Sequence, residues 1–207
     1  CLVGSEMCIR DRITSRQHHI RARICQLITY TMSSFSQKAE IDETIMDQVI
    51  DRMVGTFIRD MSPVVRQNAI LALQRLQDPD NPDDQVTRAY IYHMETDPIA
   101  KVRQACITAI AKKLPIVPHI LDRLQDNDEK VRRHTYLQMS SFPVKSYKIV
   151  DRIKFLNAGL YDRSDVVKKA VNNIMLPNWI AAYDNNFVDF VKAIKLDSSD
   201  NELLKFR

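Results

Sequence analysis

The stretch DPIAKVRQACITAI, Asp97 to Ile110, sets an aspartate five residues ahead of a valine that is followed at once by arginine. It then places Cys106 and Ile110 four and eight residues beyond that valine. Positions 0, 4 and 8 share one side of a 3.6-residue helix, so the stretch reads as a turn leading into a helix with a single apolar stripe. The same arrangement occurs as Asp60/Val65/Arg66 with Ala69 and Leu73, Asp126/Val131/Arg132 with Thr135 and Met139, and Asp162/Val167/Lys168 with Val171 and Met175. Successive aspartates lie 37, 29 and 36 residues apart, which brackets the length of one pair of antiparallel helices. A chain that repeats such a pair buries each stripe against the next, and the fold class that follows is all-α, an α-solenoid or superhelix.

A fainter copy has Ile20, Arg21, Ile24 and Ile28 at the matching positions, with Ser15 in place of the aspartate. It reads as the second helix of a truncated first repeat. The whole pattern resembles the HEAT repeat, and residues 13–207 are expected to form a solenoid fragment of about five helix pairs. The helices are expected near 41–59, 63–76, 83–95, 98–114, 116–125, 128–141, 145–161 and 163–176, with Pro115, Pro143 and Pro177 marking exits. Residues 1–12, CLVGSEMCIRDR, have no helical register and resemble a translated sequencing-adapter segment, so they are read as a non-native extension. SSDNELLKFR at the other end reads as a cap and the first turn of a further helix, which makes the chain a piece of a longer solenoid.

The aspartates and arginines have a structural reading. An aspartate at the inter-helix turn can accept hydrogen bonds from the free amides opening the second helix, and its charge suits the positive end of that helix's dipole. The arginine that follows can then reach the aspartate of an adjacent repeat. The expected ladder comprises Asp60, Arg66, Asp97, Arg103, Asp126, Arg132 and Asp162, with Lys168 as its weaker member, because lysine lacks the planar fork that grips a carboxylate. Ligand binding by the same arginines is the competing reading.

Composition agrees with a helical core that needs no metal or disulfide. Of 207 residues, 45% are apolar and only 3 are glycine, and no apolar run approaches the roughly 20 residues that span a bilayer. Cys25 and Cys106 fall at helical repeat positions and read as buried thiols. Gly4, Gly55 and Gly159 are isolated, which rules out a phosphate loop or dinucleotide fingerprint. His18 and His19 point to different sides of any helix, and His93, His119 and His134 have no partner at metal-ligand spacing. Asp83 with Asp84, and Asp126 with Asp128 and Glu129, are explained by capping and solvated turns, and Trp179 by packing. No catalytic residue, cofactor or metal site is expected, and the chain is not read as an enzyme.

The charge is unevenly placed. The chain as a whole carries +4, yet between Ile99 and Met175 there are 15 Lys and Arg against 7 Asp and Glu. Counted from each repeat valine, positions −1, +2 and +10 lie away from the apolar stripe, and they hold Lys101, Lys112, Lys130, Arg133 and Lys169, with Lys113 and Lys168 beside them. Second helices line the concave side of a solenoid, so these seven cations are expected to form a basic row there, suited to the phosphates of double-stranded DNA. An ordinary solvated helix face would look the same from charge alone. No aromatic residue interleaves the row, which disfavours stacking on single strands.

Three runs narrow the resemblance: LALQRLQDP from Leu71 to Pro79, KLPIV from Lys113 to Val117, and GLYDRSDVVKKA from Gly159 to Ala170 followed by Trp179. Over nearly all of residues 15–200 the chain resembles the N-terminal HEAT repeats of the CAP-G family, subunit 3 of the condensin complex. That resemblance implies a non-catalytic subunit that grips a kleisin chain of the CAP-H type and, through it, joins the SMC ATPase subunits. It also implies a basic groove holding double-stranded DNA in mitotic chromosome condensation, no membrane association, and a place in the nucleus and on mitotic chromosomes, or in the cytoplasm between mitoses. A scaffold whose basic groove holds an acidic peptide segment is the alternative.

Overall fold

The computed structural model describes residues 15–35 and 42–194. The readings of residues 1–12 and of SSDNELLKFR lie outside the described residues. The chain divides into two compact units, one ending at Lys113 and the other beginning at Leu114.

The first unit holds α1 (His18–Ser34), α2 (Glu43–Arg52), α3 (Pro63–Ala72), α4 (Gln85–Thr96) and α5 (Ala100–Ala109). Its helix starts follow local chemistry. The Asp42 carboxylate accepts from the Thr44 amide and that of Asp84 from the Thr87 amide, while Pro63 enters α3 where no backbone donor is needed. The second helices then stack side by side, α1 on α3 and α3 on α5, with α4 against α5. Val65, Ala69, Leu73, Val102, Cys106 and Ile110 are all buried, each large aliphatic one contributing about 1.5–3 kcal/mol. Tyr90 of α4 sends its hydroxyl to the Ile70 carbonyl at 2.6 Å, fixing the two layers at one height.

The second unit holds α6 (Val117–Asp122), α7 (Glu129–Met139), α8 (Ile149–Leu160), α9 (Asp165–Ala170), α10 (Leu176–Ala181) and α11 (Phe187–Ile194). Val131, Thr135, Met139, Val167, Val171 and Met175 are buried where α7 packs on α9 and the turn after it. Tyr147, Phe155 and Trp179 meet edge to face or tilted, with centroids 5.2–5.8 Å apart, so the tryptophan is the packing anchor that the sequence suggested. Arg152 is buried without a carboxylate partner among the described residues. Its guanidinium donates to the carbonyls of Tyr147, Lys145 and Ala193, the last in the final turn of α11, where helix carbonyls carry partial negative charge. Among the described residues there is no strand, no cluster of His, Cys, Asp or Glu that could hold a metal, and no helix long and apolar enough to cross a membrane.

The expected helices are present, with differences in extent: the one expected over 63–76 stops at Ala72, the one over 116–125 gives way to a 3-10 turn after Asp122, and the one over 145–161 begins at Ile149. The helix expected over 41–59 is α2 followed by a π turn at Met53–Phe57; of the apolar residues spaced four apart along it, Ile45, Val49, Met53 and Phe57, only the last two are buried. The helix expected over 163–176 passes through a π turn at Val171–Met175 and runs directly into α10, so Pro177, expected at its exit, stands in the first turn of a continuing helix. The one expected over 98–114 stops at Ala109. The Gln77 side chain explains that stop, donating to the Ala109 carbonyl at 2.8 Å and accepting from the Ala111 amide at 2.7 Å, so the chain peels away instead of continuing the helix.

Candidate nucleic-acid interface

The ladder is the frame on which the basic residues are mounted. At each repeat turn the aspartate accepts a backbone hydrogen bond from the residue two positions on: Asp60 from Ser62, Asp97 from Ile99, Asp126 from Asp128 and Asp162 from Ser164, at 2.7–2.9 Å. That amide belongs to the cap residue itself, one step before the free amides of the helix, so the aspartate shapes the turn and does not cap the helix as expected. In α7 the capping is done by Asp128, whose carboxylate accepts from the Lys130 amide.

The arginines work in two directions. One nitrogen of each donates back to the carbonyl six residues earlier, Arg66 to Asp60, Arg103 to Asp97 and Arg132 to Asp126, at 2.7–2.8 Å. In Arg66 and Arg132 the remaining edge of the fork grips the aspartate of another repeat. In the first unit Arg66 holds Asp97 at 2.7 and 2.9 Å, and in the second Arg132 holds Asp162 at the same two distances. Arg21 does the same with Asp60 at 2.6 and 2.9 Å while donating to the Ser15 carbonyl, so the faint first repeat carries a full rung. The Ser15 hydroxyl also accepts from the Gln17 amide at 3.3 Å, the bond that the aspartates take from the residue two positions on, so serine serves in the aspartate's place.

These carboxylates are held ionised. Burial alone would push Asp60, Asp97 and Asp162 up, but the hydrogen bonds and charges of Arg21, Arg66 and Arg132, with one backbone amide each, more than reverse it and leave all three below the usual carboxylate range. Burial pushes the Cys25 thiol up to about 12 and that of Cys106 up as well, so neither is a nucleophile.

The seven cations separate into two groups. Lys101 on α5, Lys130 and Arg133 on α7 and Lys169 on α9 are exposed and form no ion pair among the described residues. Their helices turn the buried valine stripe the other way, as the phase counted from the sequence requires. Of the other three, Lys112 and Lys113 depart from it, while Lys168 keeps its place on α9 but is paired. Lys112 and Lys113 lie beyond the end of α5, off any helix, and Lys113 pairs with Asp80 at 2.5 Å across the surface of the first unit. Burial lowers the pKa of the half-buried Lys112. Lys168 pairs with Asp165 one turn back at 3.1 Å and is not a rung of the ladder; a single ammonium cannot bind a carboxylate and a carbonyl as the guanidinium does.

Three contributors carry no signal in the repeat spacing or carry only part of one. Gln77 and Arg152 sit outside the repeat pattern, so nothing flags them, whereas Arg21 with Ser15 is visible as a repeat but not as a rung. Ser164 and Arg163, inside the GLYDRSDVVKKA run, bind Glu129 and the Asn127 carbonyl and so tie the turn before α9 to the turn before α7.

No protein-family model matches the chain. It is 34% identical over 87% of its length to condensin complex subunit 3 of Xenopus laevis, 32% identical over 87% to that of Homo sapiens, and 27% identical over 91% to that of Schizosaccharomyces pombe. The chain spans 17–21% of the length of these relatives. Among solved structures it is similar to a chain in the crystal structure of the S. pombe condensin Cnd3–Cnd2 subcomplex, with a TM-score of 0.81 and 25% identity, covering 91% of this chain and 24% of that one.

Proposed function

The chain belongs to the condensin complex subunit 3 family over the roughly one-fifth of those proteins that it matches, and from that premise we propose that it is part of a non-catalytic HEAT-repeat subunit that binds a kleisin chain and holds double-stranded DNA by its phosphates. Kleisin binding is supported by the likeness to the Cnd3–Cnd2 subcomplex. Through the kleisin the subunit would join the SMC ATPases, which supply the only nucleotide chemistry, and it would act in the nucleus on mitotic chromosomes.

The observation that carries the DNA reading is a set of exposed cations that form no ion pair among the described residues and recur at the same phases of second helices: Lys101 on α5 of the first unit, and Lys130, Arg133 and Lys169 on α7 and α9 of the second, where Arg132 of α7 holds Asp162 in the turn before α9. Cations on exposed helix faces meet phosphates through charge and read no bases. Lys112, Lys113 and Lys168 belong to the same proposed site in secondary roles, since the pairs to Asp80 and Asp165 must open before Lys113 and Lys168 reach a phosphate.

Anisotropy titration of the chain on two unrelated labelled duplexes, with and without a kleisin segment, tests it. Equal affinity for both sequences and tighter binding with the kleisin segment are expected. Failure to bind either duplex under both conditions, with binding of an acidic peptide in its place, would move the cations to the peptide-scaffold reading.

A further inference from the structure

Beside the buried Arg66–Asp97 pair the first unit opens a groove of about 590 Å³. One wall carries Arg59 and Met61, from the turn before α3; the other carries Tyr92, His93, Thr96 and Pro98, from the end of α4 and the turn after it. None of the seven cations assigned to duplex DNA lines it.

The floor is closed to a ligand. Arg66 is committed to the Asp97 carboxylate and to the carbonyls of Asp60 and Met61, and Asp97 also takes the Ile99 amide, with His93 Nδ1 at 3.4 Å. What the groove offers at its surface is of two kinds. Met61 is 96% exposed and Tyr92 62%, two large side chains of types that fold inward wherever they have something to cover them. Arg59 is exposed and has no carboxylate partner among the described residues. The Asp60 and Asp97 carboxylates are already held by Arg21 and Arg66, so the groove is left with the unpaired charge of Arg59 beside Met61 on one wall, facing Tyr92 on the other.

We propose that this groove docks an extended acidic segment of a partner protein, with a carboxylate on Arg59 and a neighbouring aliphatic or aromatic side chain against Met61 and Tyr92. The chemistry suits a duplex poorly, which would gain one charged phosphate contact from Arg59 and leave the Met61 thioether and the face of the Tyr92 ring unused. It is right for a peptide in which charge fixes register and one apolar residue supplies the burial. The proposal is independent of the duplex-binding reading, because none of the seven cations assigned to duplex DNA lines the groove.

A random decapeptide library displayed on phage and selected on the chain tests it. Enriched peptides should carry Asp or Glu within two positions of a large apolar residue, and a synthetic copy of the best one should bind in anisotropy titration. Arg59→Glu should weaken that peptide about tenfold, since an exposed pair is replaced by a repulsion, and Tyr92→Ala about tenfold through lost aromatic burial. Both positions are exposed, so melting temperature should hold. A Lys-for-acid version of the peptide should recover affinity on the Arg59→Glu variant. No enrichment, enrichment of basic peptides, or affinity unchanged in both variants would overturn the proposal. So would loss of duplex affinity in Arg59→Glu with peptide binding intact, or concentration-dependent self-association of the chain abolished by Tyr92→Ala, which would give the groove to DNA or to a second copy.

Discussion

At the scale of the residue, a rung owes its strength to both ends being buried. The Asp162 carboxylate takes two bonds from Arg132 and one from the Ser164 amide, and the Arg132 side chain is 5% exposed. Asp162→Ala should therefore cost about 3–5 kcal/mol, the penalty of stranding a buried guanidinium, well above the ~1 kcal/mol of a missing turn bond. Replacing both, Asp162→Ala with Arg132→Met, should cost clearly less than Asp162→Ala alone. Urea denaturation of Asp162→Ala, Arg132→Met and the double variant decides it, and a double mutant as unstable as the sum of the singles would deny the coupling. His93 adds a pH signature. Burial pushes its imidazole below the usual histidine value, with the charges of Arg66 and Arg59 acting the same way against the pull of Asp97. The unfolded chain then takes up its proton first, so stability is full above about pH 6.5 and declines as pH falls below it. The ladder carboxylates, with folded pKa values depressed, keep their contribution down to about pH 4 and lose it below. His93→Gln should abolish the first loss and leave the second; a melting-temperature series from about pH 8 to 3 that shows no difference from wild type between about 6.5 and 5 would contradict this. The ladder is legible in the sequence because aspartate and arginine recur at one spacing. Which rung each arginine reaches, and the aspartate's use of the cap residue's own amide, depend on side-chain directions that spacing does not record.

At the scale of the element, the repeat stripe marks where second helices lie but not where they stop. Val102, Cys106 and Ile110 are all buried, yet Ile110 is already extended with ψ 138°, because a buried apolar residue can follow a helix as well as belong to it. The stop is imposed by Gln77 from another turn, a long-range interaction with no local signal. Gly159 shows the converse, a residue that reads as an isolated glycine and turns out to be required. A Cβ built there would stand 2.5 Å from Val171 Cγ2 and 2.8 Å from the Tyr136 hydroxyl, so α8 approaches α7 and the π turn after α9 more closely than any side chain permits. Gly159→Ala should gain a little helix propensity but lose about 1–3 kcal/mol to overpacking. Adding Val171→Ala, which removes the nearest atom, should recover part of that loss. Thermal melts of the single and double variants check it; a Gly159→Ala protein as stable as the parent would mean that the helices separate at no cost.

At the scale of the whole molecule, the functional consequence lies in how charge is distributed, since a net +4 says little by itself. Periodicity identifies the helix faces that carry Lys101, Lys130, Arg133 and Lys169; it misplaces Lys112 and Lys113 because it assumes a helix that runs on, and it does not record the partners of Lys113 and Lys168. The two groups should behave differently on DNA. Reversing Lys130, Arg133 and Lys169 to Glu should weaken every duplex by a similar factor and flatten the slope of log affinity on log salt by roughly 0.9 for each phosphate no longer neutralised. Reversing Lys113 and Lys168 should change the slope less, because part of their charge is already engaged by Asp80 and Asp165. Asp80→Asn and Asp165→Asn should each tighten binding slightly by releasing the lysine. All these positions are exposed or half-exposed, so circular dichroism and melting temperature should match the parent and any change in affinity reports the surface alone. Titrations at several salt concentrations with a kleisin segment present give the slopes. An unchanged slope in the Lys130/Arg133/Lys169 variant would take the helical row out of the DNA site, whereas a larger loss from Lys113 and Lys168 than from the row would mean that the ion pairs open readily and that phase was the wrong guide.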